Sequence, residues 1–135
     1  VQRRSIELLP DAHCQLFLLD SLGELLKFLP GANAVFVGGS IQNIGGHNVL
    51  EPTSLGLPII VGPHTQHFAD IIEKLIQVDG LIQVQDAIQL EESLFSLLRN
   101  PDRANAMGNN ALNCVAQNRG ALQKTKALIE QRLCV

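Results

Sequence analysis

The chain has 135 residues, 46% of them hydrophobic and 17% charged, with a formal net charge of −3; a soluble domain usually carries about 25% charge. This size and composition exclude disorder and fit one domain with a sizeable core. The apolar residues come in short bursts, which excludes a membrane-spanning helix, and an acidic chain without Trp or Tyr argues against nucleic acid as a partner.

Val1-Gln2-Arg3-Arg4 has no apolar run behind it and is not a signal peptide. Four short apolar runs follow: Gln15-Leu16-Phe17-Leu18-Leu19, Ala34-Val35-Phe36-Val37, Ile59-Ile60-Val61 and Leu81-Ile82-Gln83-Val84. Each is closed by Gly, Asp or Pro, as expected of parallel strands buried on both faces. Between and after them the period becomes helical. Phe68, Ile71, Ile72, Leu75 and Ile76 form one stripe; Leu90, Leu94, Leu97 and Leu98 form a second, with Asp86 and Gln89 spaced as a capping box. Asn100 and Pro101 read as N-cap and first helical residue. They open the stripe Ala104, Met107, Ala111 and Val115, and Leu122, Thr125, Ile129 and Leu133 make a last helix after Gly120. Strand and helix alternating in this way predict an α/β fold: a Rossmann-like parallel sheet flanked by helices, with residues 1–135 as a single domain. The chain starts without Met and with a strand almost at once, which reads as a fragment or a processed N-terminus. Cys14, Cys114 and Cys134 are odd in number and far apart, which favours a reduced, cytosolic setting over a disulfide framework; Cys14 reads as core.

Ligands of open parallel sheets bind beyond the carboxyl ends of the strands. The loops there contain Ser21-Leu22-Gly23-Glu24, then Gly38-Gly39-Ser40 and Gly45-Gly46-His47-Asn48-Val49-Leu50-Glu51-Pro52, then Gly62-Pro63-His64. Paired glycines let a phosphate approach the backbone, but they also make plain tight turns, and glycine content alone leaves both readings open. Asn48-x-x-Glu51 could be a capping box. Pro52 favours another reading, in which it is the first helical residue and Glu51 stands at the helix entrance, free to accept from a ligand diol. Ser21-x-x-Glu24 reads as a capping box, and Gly23 would let a flat ligand near the backbone. His64-x-x-His67 is not a metal spacing, and no metal or other cofactor is predicted.

These loops, in this order, resemble the donor-side half of the Kdo transferases, and Asn118-Arg119-Gly120-Ala121 resembles that family's late motif. The members are GT-B glycosyltransferases that move 3-deoxy-D-manno-octulosonic acid (Kdo) from CMP-Kdo to a lipid A precursor. The resemblance implies that Leu22, Gly23, Glu24, Asn48, Val49, Leu50 and Glu51 contact the CMP moiety of the donor. Gly38, Gly39, Ser40, Gly46 and His47 would line the same cleft. It departs from the family pattern at Ser21-Leu22, Val49 and Thr53-Ser54, where Thr-Met, Pro and small Ala residues are usual.

The resemblance further implies that the acceptor domain, the membrane-contacting segment and the general-base carboxylate belong to an N-terminal half. The family's Pro-Arg-His donor motif is not in this chain either. No catalytic residue is therefore assigned here, and the chain alone is expected to be inactive and soluble, while the full-length enzyme would work at the cytoplasmic face of the inner membrane. Donor release would proceed without a metal and with inversion, the backbone N–H groups near residues 48–51 stabilising the leaving CMP. The last helix would cross back to the N-terminal half. Two alternatives stay open: another GT-B nucleotide-sugar transferase or 2-epimerase, and a stand-alone nucleotide-binding module.

Overall fold

A computed structural model of the chain describes residues 1–6, 9–118 and 129–130. The chain divides into two compact units, residues 1–31 and 32–135. In the first unit, β1 (Gln2–Arg3) pairs in parallel with β2 (Phe17–Leu18), with Gln2 opposite Phe17 and Arg3 opposite Leu18. A short helix α1 (Leu25–Phe28) and a 3-10 turn (Leu29–Gly31) follow. The predicted strand over 15–19 is thus reduced to two residues, and it is not buried on both faces: Leu16 is 59% and Leu18 45% exposed. A two-stranded pair in a 31-residue unit has too little chain to cover two faces. β1 has no apolar residue to announce it. Cys14 is not core either: it is half-buried and its thiol donates to the Leu16 carbonyl at 3.2 Å.

The three strands predicted in the second unit form a sheet. β3 (Val35–Val37), β4 (Ile59–Val61) and β5 (Leu81–Gln83) form a parallel sheet in the order β3-β4-β5. Val35, Ile59 and Leu81 share a register, as do Val37, Val61 and Gln83. The central strand β4 is fully buried, and its residues alternate between two cores. Ile59 and Val61 pack with Val37, Val49, Ile72, Leu75, Leu81, Ala111 and Cys114; Ile60 packs with Val84, Leu97, Ala104 and Met107 on the other face. A run of branched residues with no polar alternation is what burial from both sides requires.

Among the described residues, α2 (Leu50–Ser54), α3 (Ala69–Gln77), α4 (Ala87–Arg99) and α5 (Pro101–Asn118) cover the sheet. The α3 stripe buries Ile72 and Leu75, with Phe68 and Ile71 packed beside them. On α4, Leu90, Leu94 and Leu97 face the core, whereas Leu98 is 53% exposed. Asp86 caps α4 by accepting from the Gln89 N–H at 2.9 Å, but the Gln89 side chain accepts from Gln85, one residue short of a reciprocal box. Asn100 caps α5 by accepting from the Arg103 N–H at 3.1 Å. α5 contributes to both cores, Ala104 and Met107 to one and Ala111 and Cys114 to the other. Among the described residues no helix is long and apolar enough to cross a membrane. The predicted last helix and the Arg119-Gly120-Ala121 part of the late motif lie outside the described residues, except that Ile129 and Glu130 are helical.

Candidate functional site

In the second unit the glycine-rich loop after β3 folds back on itself at the carboxyl end of the sheet. Gly46 N–H donates to the Gly39 carbonyl at 2.9 Å and His47 N–H to the Gly38 carbonyl at 3.2 Å. Gly39, Gly45 and Gly46 have φ of +70°, +97° and +77°, which only glycine adopts freely. The His47 ring covers Gly39, where a Cβ would lie 3.1 Å from Nε2, and a Cβ on Gly45 would run into the His67 ring. His47 itself is exposed and Gly46 half-buried. These glycines are therefore required by the loop's own turns, which is the second of the two readings that glycine content left open.

Ser40, expected to line the cleft, is wholly buried. Its hydroxyl donates to the Val37 carbonyl and accepts from the Gly62 N–H at 2.9 Å, and its carbonyl accepts from His64 N–H at 2.9 Å. Ser40 thus ties the loop after β3 to the loop after β4. Its hydroxyl is committed to the frame.

The start of α2 differs from the sequence expectation. The helix begins at Leu50, so Glu51 is its second residue and Pro52 its third, not its first. Proline is tolerated there because its N–H would have paired only with Asn48, an exposed residue whose carbonyl can meet water. Asn48 Oδ1 accepts from the Leu50 N–H at 3.0 Å, and Asn48 Nδ2 donates to Glu51 Oε1 at 3.3 Å. With Leu50 N–H engaged and Pro52 lacking one, the turn offers an anion fewer donors than the expected stabilisation of a leaving group would use. Val49 is 1% exposed and sits in the core, so its side chain is closed to a ligand; Leu50 is exposed and Glu51 half-buried.

In the first unit, Leu22 is 102% exposed, and Gly23 has φ +78° with nothing within 4 Å of where a Cβ would stand. The glycine serves a left-handed turn as well as leaving the backbone open. Ser21 and Glu24 do not form a capping box: α1 starts at Leu25, and Glu24 precedes it without a side-chain cap bond. Instead Ser21 Oγ donates to Glu24 Oε2 at 2.6 Å, and Arg4 Nη2 donates to Glu24 Oε1 at 3.0 Å. Arg4 Nε lies 3.0 Å from Oε2 as a second ion-pair contact. These partners, the Ser21 hydroxyl first and Arg4 next, lower the Glu24 pKa to about 2. Asp20 is likewise lowered, chiefly by hydrogen bonds from the Ser5 side chain and N–H. Sequence reasoning overlooked Arg4. Twenty positions separate it from Glu24, and only the β1–β2 pairing brings them together. Among the described residues no group of three or more His, Cys, Asp or Glu gathers to hold a metal ion.

Residues 1–113 match the family model of glycosyl transferases, group 1. The chain is 38% identical over 132 residues to a 3-deoxy-D-manno-octulosonic acid transferase of Haemophilus influenzae, covering 97% of this chain and 31% of that protein. It is 34% identical over 124 residues to the enzyme of that name from Bordetella pertussis, covering 92% and 29%. The chain thus spans about three-tenths of the length of these curated relatives. The crystal structure of the C-terminal CMP-Kdo binding domain of WaaA from Acinetobacter baumannii is similar in fold, with a TM-score of 0.80 and 32% identity over 85% of this chain and 61% of that one. The architecture is that of the C-terminal half of a GT-B fold. On its sequence and its fold together, the chain belongs to the group 1 glycosyl transferases.

Proposed function

We propose that residues 1–135 are a single donor-binding domain, the CMP-Kdo-binding half of an inverting transferase that delivers Kdo to a lipid A precursor in lipopolysaccharide synthesis. The observation that supports this best is the likeness to a CMP-Kdo binding domain, at a TM-score of 0.80 and 32% identity. In this reading Leu22, Gly23, Glu24, Asn48, Leu50 and Glu51 contact the CMP moiety, with Val49 contributing main chain only. Glu51, steadied by Asn48, accepts from a ribose hydroxyl. An acceptor domain outside this chain supplies the carboxylate that deprotonates the attacking sugar hydroxyl. That oxygen attacks the anomeric carbon of Kdo from the face opposite CMP, which leaves with the bonding electrons. The chain alone then holds donor without turning it over, and the whole enzyme works where its lipid acceptor lies, at the cytoplasmic face of the inner membrane.

An amide titration of the chain with CMP, against UMP and GMP, tests the reading. Shifts are expected at residues 22–24 and 48–51 with CMP alone, with a Kd of about 1 mM or weaker because the nucleotide is held on one side only. Glu51→Gln is expected to weaken CMP about tenfold, as loss of a hydrogen bond to a charged group does. Shifts confined to residues 64–68, or equal responses to UMP, would sink the assignment.

A further inference from the structure

We propose that Arg4 is a positioning residue for the donor nucleotide, clamping the turn 20–24 through the Glu24 carboxylate so that the turn meets its ligand with Leu22 and the Gly23 main chain. This rests on the donor-binding reading above.

A carboxylate offers about four lone-pair sites, and Glu24 accepts three hydrogen bonds within the unit, with Arg4 Nε beside them in ion-pair contact. Oε1 faces Arg4 Nη2 at 3.0 Å and Lys27 Nζ at 3.4 Å; Oε2 faces Ser21 Oγ at 2.6 Å and Arg4 Nε at 3.0 Å. Little of the carboxylate is left for a ligand. The Arg4 and Glu24 side chains are only 21% and 19% exposed. One guanidinium hydrogen bond from Nη2, with Nε beside the other oxygen as an ion-pair contact, holds the half-buried carboxylate more firmly than an open surface pair would.

The other end of the turn is held by the next residue along. Ser5 N–H and Oγ donate to the two oxygens of Asp20 at 2.9 and 2.7 Å. The segment itself is anchored, because Arg4 N–H extends the β1–β2 ladder to the Leu18 carbonyl at 2.9 Å. Ser5 and Arg4 therefore grip residues 20 and 24, and between those two Leu22 is fully exposed and Gly23 open. What the turn offers a ligand is an apolar side chain and uncovered backbone, both placed by the clamp.

The test compares Arg4→Gln, Arg4→Lys, Glu24→Gln and the Arg4→Gln/Glu24→Gln double variant of the chain. Two signals are read: the Leu22 and Gly23 amide shifts without nucleotide, and the affinity for CMP. Arg4→Gln and Glu24→Gln are each expected to displace those amides and to weaken CMP by a similar factor, about tenfold. The double variant should be no weaker than either single one, because the pair acts as a unit, and Arg4→Lys should recover part of the loss. A direct contact from the Glu24 carboxylate would instead make Glu24→Gln weaken CMP further on the Arg4→Gln background, and that result overturns the proposal. So does an Arg4→Gln chain whose Leu22 and Gly23 amides are unmoved, whether or not CMP binds. If Arg4→Gln does not fold, Arg4→Lys and Glu24→Gln decide through the same two signals. Absence of any CMP response in the parent chain would mark failure of the donor-binding reading, and the nucleotide role of the clamp would fall with it.

Discussion

Ser40 and Glu24 each take a role from a partner about twenty residues away along the chain, Gly62 for the one and Arg4 for the other. Ser40 satisfies Gly62 N–H and Val37 C=O in a place that water does not reach. Ser40→Ala leaves both groups without that partner, and each buried unsatisfied group costs about 1–3 kcal/mol. Urea unfolding should therefore show a loss within or above that range, and an unchanged midpoint would show that the hydroxyl is dispensable. Glu24 carries a pH signature. Its pKa falls from the ordinary 4.5 to about 2, so the folded state favours the ionised carboxylate. The stabilisation is complete above about pH 4.5 and is lost as pH falls toward 2. A carbon-detected titration of the Glu24 carboxyl should have its midpoint near 2, and a midpoint near 4.5 would show that Ser21 and Arg4 do not hold it.

Helix α5 shows how an element is fixed by what it touches. Gly108 in its middle costs a helix about 1 kcal/mol relative to Ala. It is there because a Cβ would run into the Gly56 carbonyl, in the turn that follows α2. Gly108→Ala gains helix propensity but forces apart two backbones that have no side chain to yield, and overpacking of this kind costs about 1–3 kcal/mol. The net effect should be a lower urea midpoint; a higher one would mean that α5 and the turn after α2 separate freely. The capping signals at Asp86 and Asn100 were legible because an N-cap depends on residues two or three positions away. Helix α2 was misplaced for the same reason in reverse. Proline's local preference for the first helical position yielded to Val49, which buries its side chain among Ile59, Ile72 and Leu75 and so sets where the helix begins.

Over the molecule as a whole, burial is uneven. In residues 1–31, Leu29 alone is buried among those described, whereas the second unit holds two apolar cores around β4. Local opening is easiest where few apolar contacts must be broken. Amide exchange should thus be slowest for Ile59, Ile60 and Val61 and much faster for Phe17 and Leu18. Equal protection of the two sheets would contradict this order. The first unit contains the exposed Leu22 and the open Gly23, and its hold on them depends on polar clamps more than on a core.

The sequence by itself determined the parallel sheet of the second unit, three of its covering helices and the order of the loops at its carboxyl end. Those features rest on short-range signals: unbroken apolar runs at 35–37 and 59–61, a helical period in 69–77, 87–99 and 101–118, and caps within one turn. Only the tertiary structure decided that the strand near residue 17 is short and half-exposed, that Val49 and Ser40 are buried, and that Arg4 grips Glu24. Each of these depends on a partner 15 or more residues away or on how much chain is available to cover a surface. Periodicity and capping report the geometry of a single turn or strand. They contain no information about which distant side chain will arrive to take up a hydroxyl, a carboxylate or an apolar face.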